Sequence, residues 1–386
     1  MESDNVTMSD LLKAEQNFVL YERIKIWYPP FLCFFGICGN IIAIAVLRKR
    51  TISSTRILLI SLAVTDTLVL VLSPLKQWIM HLMKIDVRQT TEVICKIDLF
   101  LTYLLVQLSP WVLAMITVER AYSVIKPHLV RVVFTRRRTL ISLAICIVCL
   151  SVVDSHLLYG YTLIFIKEAG DIHCHPRSES YETFMFNIFM WIDFAFAFAI
   201  PGLGIVTGNL IIIAKLRYSR HLQGTYCNER GMSTAHRRRN HVSHSLSQWT
   251  RTTVVINVFF VMLVLPSVAF GIGQVYWFPS KDITPAKIAD THLIAEITFM
   301  LMYTNNAINF VLYIMLGSRF RSDLISMCFC KRGNLRSTNG NLQTNSSSDY
   351  NVQLTSVTLV YKAVEAKRWG ERESLRERGQ HRRNNI

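Results

Sequence analysis

Charge is scarce in this chain. Of its 386 residues, 18% are Asp, Glu, Lys or Arg, against about 25% in an ordinary water-soluble domain. That shortage excludes a solvated surface along most of the length and points to a membrane protein. Metal-type cysteine spacing is also missing. There are nine cysteines but no CxxC pair matched by a second, which argues against a structural zinc site. His173, Cys174 and His175 are adjacent, and three adjacent residues rarely converge on one ion. No nucleophile–base constellation and no phosphate-cradling loop is present, so nothing supports an enzyme or a catalytic cofactor. Internal repeats and paired interrupted segments, the marks of many transporters, are absent too.

Apolar sequence fills the space. Hydrophobic residues make up 51% of the chain and mean hydropathy is +0.30. A bilayer-crossing helix needs roughly 20 mostly apolar residues, and seven runs qualify. They are residues 29–47, 57–75 (with Asp66), 99–118, 139–153, 183–214 (with Asp193), 252–280 and 297–318. The fourth is short and is expected to continue past Asp154 to Ile166. The first begins too far in, and lacks the flanks, for a cleaved secretory signal.

The formal net charge of +16 is compatible with nucleic-acid binding or with basic loops on one membrane face. Position decides. Residues 48–56 carry four basic side chains and no acid, and Arg136, Arg137 and Arg138 lie in the second loop of that series. The third has Lys215, Arg217, Arg220, Arg230, Arg237, Arg238 and Arg239. The alternate loops are balanced, with Lys84, Arg88 and Lys96 against Asp86, Glu92 and Asp98. Basic loops stay cytoplasmic, so the amino terminus is expected outside and the carboxyl terminus inside, with no nucleic-acid partner. Asn5-Val6-Thr7 is a glycosylation acceptor triplet on the outer side.

Ionisable groups inside a membrane are costly and therefore need partners. Asp66 has Ser109, Asn305, Asn306, Asn309 and Asn40 within plausible depth, an oxygen-rich set suited to a small cation or to holding helices together. Prolines at 74, 110, 201 and 266 each remove a backbone hydrogen bond and can kink a span. Cys95 and Cys174 are the two cysteines outside the runs on the oxidising face, and a disulfide between them is expected.

Taken together, these features resemble the rhodopsin-like (class A) G-protein-coupled receptors over about residues 29–330. Twenty-five positions separate Cys95 from Arg120, as in that family. LAVTD ending at Asp66, ERA at 119–121, Pro127, NFVLY at 309–313 and FR at 320–321 stand where the family has its markers. NNAINFVLY followed by GSRFR is similar to invertebrate neuropeptide receptors of the FMRFamide-receptor type. The fold implied is an all-α seven-transmembrane bundle with a short amphipathic cytoplasmic helix. It divides into an extracellular segment (1–28), a receptor domain (29–330) and a disordered tail (331–386), with the loop at 218–249 also expected to be disordered.

The resemblance implies roles as well. Glu119 would pair with Arg120 at rest, and Arg120, with Tyr313 and Asn309, would switch heterotrimeric G proteins. Asp66, Ser109, Asn305 and Asn309, with Asn40 nearby, would form a sodium pocket. Cys328 and Cys330 would carry lipid, the 344–350 cluster would recruit arrestin, and basic segments would rest on membrane lipids. Departures are plain: Phe310 for proline, Ala121 for tyrosine, Val264 for tryptophan and Asn209 for tyrosine. They motivate an alternative, an orphan receptor-like protein with weak or constitutive coupling. Tyr303 stands where a light receptor needs lysine, and Thr102 where an amine receptor needs aspartate. A peptide ligand at the plasma membrane remains, with Trp78, Asp98, Thr102, Tyr103, Gln107, Asp193, Gln274 and Glu296 as contacts. Asp193 and Glu296 are the acids placed to meet an arginine of that peptide.

Overall fold

The structure, a computed structural model, describes residues 8–49, 53–166, 171–227, 234–277 and 284–329. Asn5, Cys330 and the 344–350 cluster lie outside them, as does the unit Cys330–Ile386 as a whole. The described residues contain seven helices long and apolar enough to cross a membrane. These are Gln16–Arg48, Ser54–Met83, Glu92–Ile125, Arg136–Gly160, Glu179–Tyr218, Thr250–Gly273 and Pro285–Leu316, here the first to seventh spans.

Local chemistry starts several of them. Thr91, Thr135, Ser178 and Thr284 each cap a helix, their hydroxyls accepting from the backbone N–H of Ile94, Arg138, Tyr181 and Lys287. Such caps satisfy donors that a helix start leaves open. Pro285 follows the last cap at the first helical position, where its missing N–H costs nothing. Pro74 lies in a π-helical turn, Val71–Leu75, inside the second span, a local widening typical of a disrupted hydrogen-bond ladder.

Packing follows the helical period. The first span buries Leu32, Cys33, Gly36, Gly39, Asn40, Ala43, Val46 and Leu47, one stripe at three- and four-residue spacing. Gly36 and Gly39 let the backbone approach its neighbours closely. A Cβ on Gly36 would fall 2.6 Å from Leu70 Cδ1 and 2.7 Å from Ala307 Cβ. Small residues serve helix contacts in lipid for this reason. The second and third spans bury 56% of their apolar windows and the fourth only 22%, so the fourth lies at the edge. Phe34, Phe35, Val152 and Leu203 are among many large apolar side chains left exposed. That pattern suits hydrocarbon and is costly in water.

Three expectations need correction. The fourth span does not continue to Ile166. Its helix ends at Asp154, a short turn of helix occupies Leu157–Gly160, and Tyr161–Ile166 is strand β1. It pairs antiparallel with β2, Asp171–Pro176, with Leu163 opposite Cys174. YTLIFI is β-branched and aromatic, and a short apolar run cannot be told from helix by periodicity alone. The loop at 218–249 is largely helical, because the flanking helices reach Cys227 and begin at Thr234. The first span begins at Gln16, after a short helix at Met8–Ala14, so the boundary expected after residue 28 falls inside a helix.

After the seventh span the helix Ser318–Phe329 is locked by Phe320. Its buried ring lies 5.6 Å from Tyr313 and 6.1 Å from Phe310, between centroids. Arg321 Nη1 donates to the Ile314 and Met315 carbonyls at 2.7 and 2.8 Å, satisfying acceptors that a helix end leaves open.

Candidate functional site

Among the described residues, polar arrangements lie at several levels along the bundle. At its centre, fully buried Asp66 joins three spans. Its Oδ1 accepts from Ser109 Oγ at 2.7 Å and Asn306 Nδ2 at 2.8 Å, and its Oδ2 from Asn309 Nδ2 at 2.8 Å. Asn306, rather than Asn305, completes this knot. One residue along a helix turns a side chain by roughly 100°, and Asn305 instead helps line the cavity described below. Asn40 is present but bonds the Asn306 carbonyl at 3.1 Å, not the carboxylate. Asn309 Oδ1 is buried without a partner among the described residues.

Towards the end that carries the basic loops, Arg120 lines a narrow cleft with Leu59, Leu113, Ile116, Thr252, Thr253, Ile256 and Tyr313. The expected Glu119–Arg120 ion pair is not formed among the described residues. Glu119 Oε1 accepts from Thr55 at 2.7 Å. Successive helix residues do not face each other, so Glu119 turns to the second span while Arg120 turns to the sixth and seventh. One helical turn from Arg120 is a knot that sequence reasoning missed. Asn257 Nδ2 donates to Asn209 Oδ1 at 2.8 Å and to Thr117 Oγ1 at 2.9 Å. Asn257 is an uncharged polar residue, and a span recognised by its lack of charge does not single it out.

At the opposite end the β-hairpin is tied to the third span by the Cys95–Cys174 disulfide, Cα–Cα 5.7 Å. Beneath this end lies a cavity of about 180 Å³. Asp193, Phe194, Phe260, Val264, Phe299 and Met302 line it, and its floor is Ser109, Asn305 and Asn306, beside Asp66. Gln107 Nε2 donates to Asp193 Oδ1 at 2.9 Å and to Asp154 Oδ1 at 3.0 Å. The Asp154 contact was not anticipated. A second, wider cavity of about 520 Å³ is lined by Lys25, His81, Lys84, Asp86, Arg88, Asp171, His292 and Glu296.

The expected ligand contacts therefore separate. Asp193 lines the inner cavity and Glu296 the wider one, and Phe299 lines both. Tyr103 packs on Phe189, with 5.6 Å between centroids. The Thr102 hydroxyl is buried without a partner among the described residues. Trp78 Nε1 donates to the Ile26 carbonyl at 2.8 Å, and Asp98 is paired with Lys76 at 2.5 Å. Trp78 and Asp98 thus have structural partners. The side chains of Gln274 and Cys328 lie outside the described residues.

Seven membrane-length helices, a buried carboxylate at their centre, a pinned hairpin over one end and an arginine cleft at the other define a heptahelical receptor. The family described as "7 transmembrane receptor (rhodopsin family)" matches residues 39–313, and the chain belongs to it. This is a signalling family, not an enzymatic one. Among curated proteins the chain is similar to the galanin-like G-protein coupled receptor npr-9 of Caenorhabditis elegans. The two are 24% identical, over 84% of this chain and 79% of the relative. The thyrotropin-releasing hormone receptor of Gallus gallus is 24% identical, over 85% and 84%. Its Homo sapiens counterpart is 22% identical, over 86% and 85%.

Proposed function

We propose that this receptor binds an extracellular peptide at the plasma membrane and signals through heterotrimeric G proteins. The hairpin and the glycosylation triplet at Asn5 face outward, and the Arg120 cleft and carboxyl terminus face the cytoplasm, in keeping with the basic loops. One observation carries the reading: the inner cavity descends from Asp193 to Ser109 and Asn306, two of the residues that hold Asp66. A ligand filling it would press on the central knot directly. The peptide class is supported by the relatives' printed names and by Tyr303 and Thr102, which lack the chemistry of light and amine receptors.

The chain's own residues supply the switch. Opening the cleft between the third and sixth spans would expose Arg120, with Tyr313 and Asn309 on the seventh span moving beside it. Glu119, held by Thr55, would keep its helix against the second span. The Asp66 centre fits a sodium ion after one adjustment. Three donors fill three of the roughly four acceptor positions of the Asp66 carboxylate, which leaves one for a cation. Rotating the Asn309 amide replaces its Nδ2 with the unpartnered Oδ1. Asp66, Ser109 and Asn309 would then present oxygens to the ion, whose charge would stabilise this closed arrangement. Arrestin recruitment at 344–350, lipid on Cys328 and Cys330, and contact of the basic segments with anionic lipid complete the proposal.

The test is calcium and cyclic AMP output in cells expressing the chain, challenged with a panel of amidated peptides. A response that Arg120→Ala abolishes at equal surface expression is expected. Silence across the panel with surface expression intact counts against peptide activation. High peptide-independent output would favour the constitutive alternative.

A further inference from the structure

In the hairpin-side half of the bundle, two acids share a single neutral donor. Gln107, Asp154 and Asp193 come from the third, fourth and fifth spans. The Gln107 amide nitrogen bonds one oxygen of each acid. Gln107 and Asp154 are 0% exposed. Asp154 Oδ2 and Gln107 Oε1 are buried with no hydrogen-bond partner among the described residues. No ion pair among those residues involves either acid. The cluster therefore holds unused acceptors, two acidic groups and no cation. Away from water such a group is strongly disfavoured unless something neutralises it.

It is also open on one side. Asp193 forms part of the wall of the 180 Å³ cavity, and the wall around it is mainly apolar, with Phe194, Phe260, Val264 and Phe299. An unneutralised acid on a largely apolar wall selects a cationic head on an apolar or flexible body. The Gln107 carbonyl oxygen behind Asp193 is buried and unsatisfied among the described residues, so the cluster as a whole is short of donors.

We propose that Asp193, backed by Gln107 and Asp154, forms a subsite for a guanidinium group, the side chain of an arginine in the ligand. Asp193 contacts the cation. Gln107 fixes the Asp193 carboxylate, and Asp154, one hydrogen bond behind, adds a second negative charge to the field. A guanidinium suits this better than an ammonium: it is planar, keeps its charge when buried, and offers paired donors to a carboxylate. The inference rests on the peptide-receptor reading but is tested without signalling.

The experiment is thermal unfolding of the purified full-length receptor in lipid nanodiscs. Millimolar Nα-acetyl-arginine amide is compared with its lysine and citrulline counterparts. Arginine amide is expected to raise Tm, lysine amide to raise it less, and the uncharged citrulline isostere to leave it unchanged. Asp193→Asn should remove the arginine effect, and Asp154→Asn should weaken apparent affinity several-fold. Asp290→Asn, an acid outside the cluster that bonds Asn17, should retain it. If one cluster variant does not fold, the other decides. No shift in the wild type, equal shifts with arginine and citrulline, or a shift that survives in the cluster variants overturns the proposal. So does stabilisation by acid alone with no preference for guanidinium, which would mean that protons neutralise the pair. Silence in the signalling assay leaves these Tm shifts unchanged, so the two failures are separable.

Discussion

Asn257 Nδ2 lies 2.8 Å from Asn209 Oδ1, joining the fifth and sixth spans one helical turn from Arg120. The same nitrogen reaches Thr117 on the third span at 2.9 Å. A fully buried amide that bonds two other helices holds the sixth span inward, over the arginine cleft. Asn257→Leu removes both bonds, and the one that Asn257 Oδ1 accepts from Thr117 Oγ1 at 3.3 Å, while keeping similar volume. Polar contacts between membrane helices are worth about 0.6 kcal/mol each on average, up to about 1.7, so a modest loss of stability is expected. The larger effect is expected in function: peptide-independent second-messenger output should rise at matched surface expression. Unchanged basal output would make Asn257 a packing residue only.

The Asp66 centre gives a second prediction. Asp66→Ala removes the acceptor of Ser109, Asn306 and Asn309 at once, and each buried donor left unsatisfied costs about 1–3 kcal/mol. Asp66→Asn keeps the shape but loses the charge. If a sodium ion binds here, sodium chloride should raise the wild-type Tm more than choline chloride at equal ionic strength. That difference should vanish in Asp66→Asn. Equal effects of both salts on the wild type would remove sodium from the account while leaving the hydrogen-bond knot in place.

Much of this architecture was legible from runs of uncharged residues, because a bilayer imposes length and apolarity on every crossing segment. The disulfide was legible because Cys95 and Cys174 share a face. What failed were statements finer than one turn of helix. Asn305 and Asn306 are neighbours in sequence, yet only one bonds Asp66. Glu119 and Arg120 are neighbours too, yet Glu119 bonds Thr55 while Arg120 lines the cleft with Thr252, Ile256 and Tyr313. Rotation about a helix axis is set by packing against other spans, which a single sequence does not display. Asp154 was passed over as a charge interrupting an apolar run, and its partner Gln107 lies 47 positions away. The strand at Tyr161–Ile166 was hidden because its residues are as apolar as the span before it.

The Cys95–Cys174 bond spans a sequence separation of 79 residues. A cross-link of this kind typically contributes about 2–4 kcal/mol. Cys95→Ser and Cys174→Ser should each lower thermal stability, and the double variant should be no less stable than either. The two changes remove one bond, so their effects do not add. Ligand response should fall with stability, because β2 pairs with β1 above the cavity and is anchored at Cys174. Additive losses would mean that the thiols act separately and that the hairpin is held by its strand pairing alone.

The loop between the second and third spans carries a titratable pair whose pH dependence has a definite sign. Asp86 pairs with Arg88 Nη2 at 2.6 Å and also accepts the Arg88 backbone N–H at 2.9 Å. Burial pushes the Asp86 carboxyl up, but the Arg88 hydrogen bonds and charge outweigh that and hold it below the usual carboxylate range. An acid depressed in the folded state contributes stability above its unfolded pKa, about 3.9 for aspartate. It loses that contribution as pH falls through the folded value. The pair is therefore intact at neutral pH and fails only under acid. The Arg88 side chain is 37% exposed, so solvent screening keeps the contribution below about 1 kcal/mol. Asp86→Asn should lower Tm by a small amount that stays constant from about pH 7 to 5 and shrinks below about 4. If the gap closes already near pH 6, histidines nearby govern it instead. His81 and His292 line the same cavity; substituting them in turn would identify which.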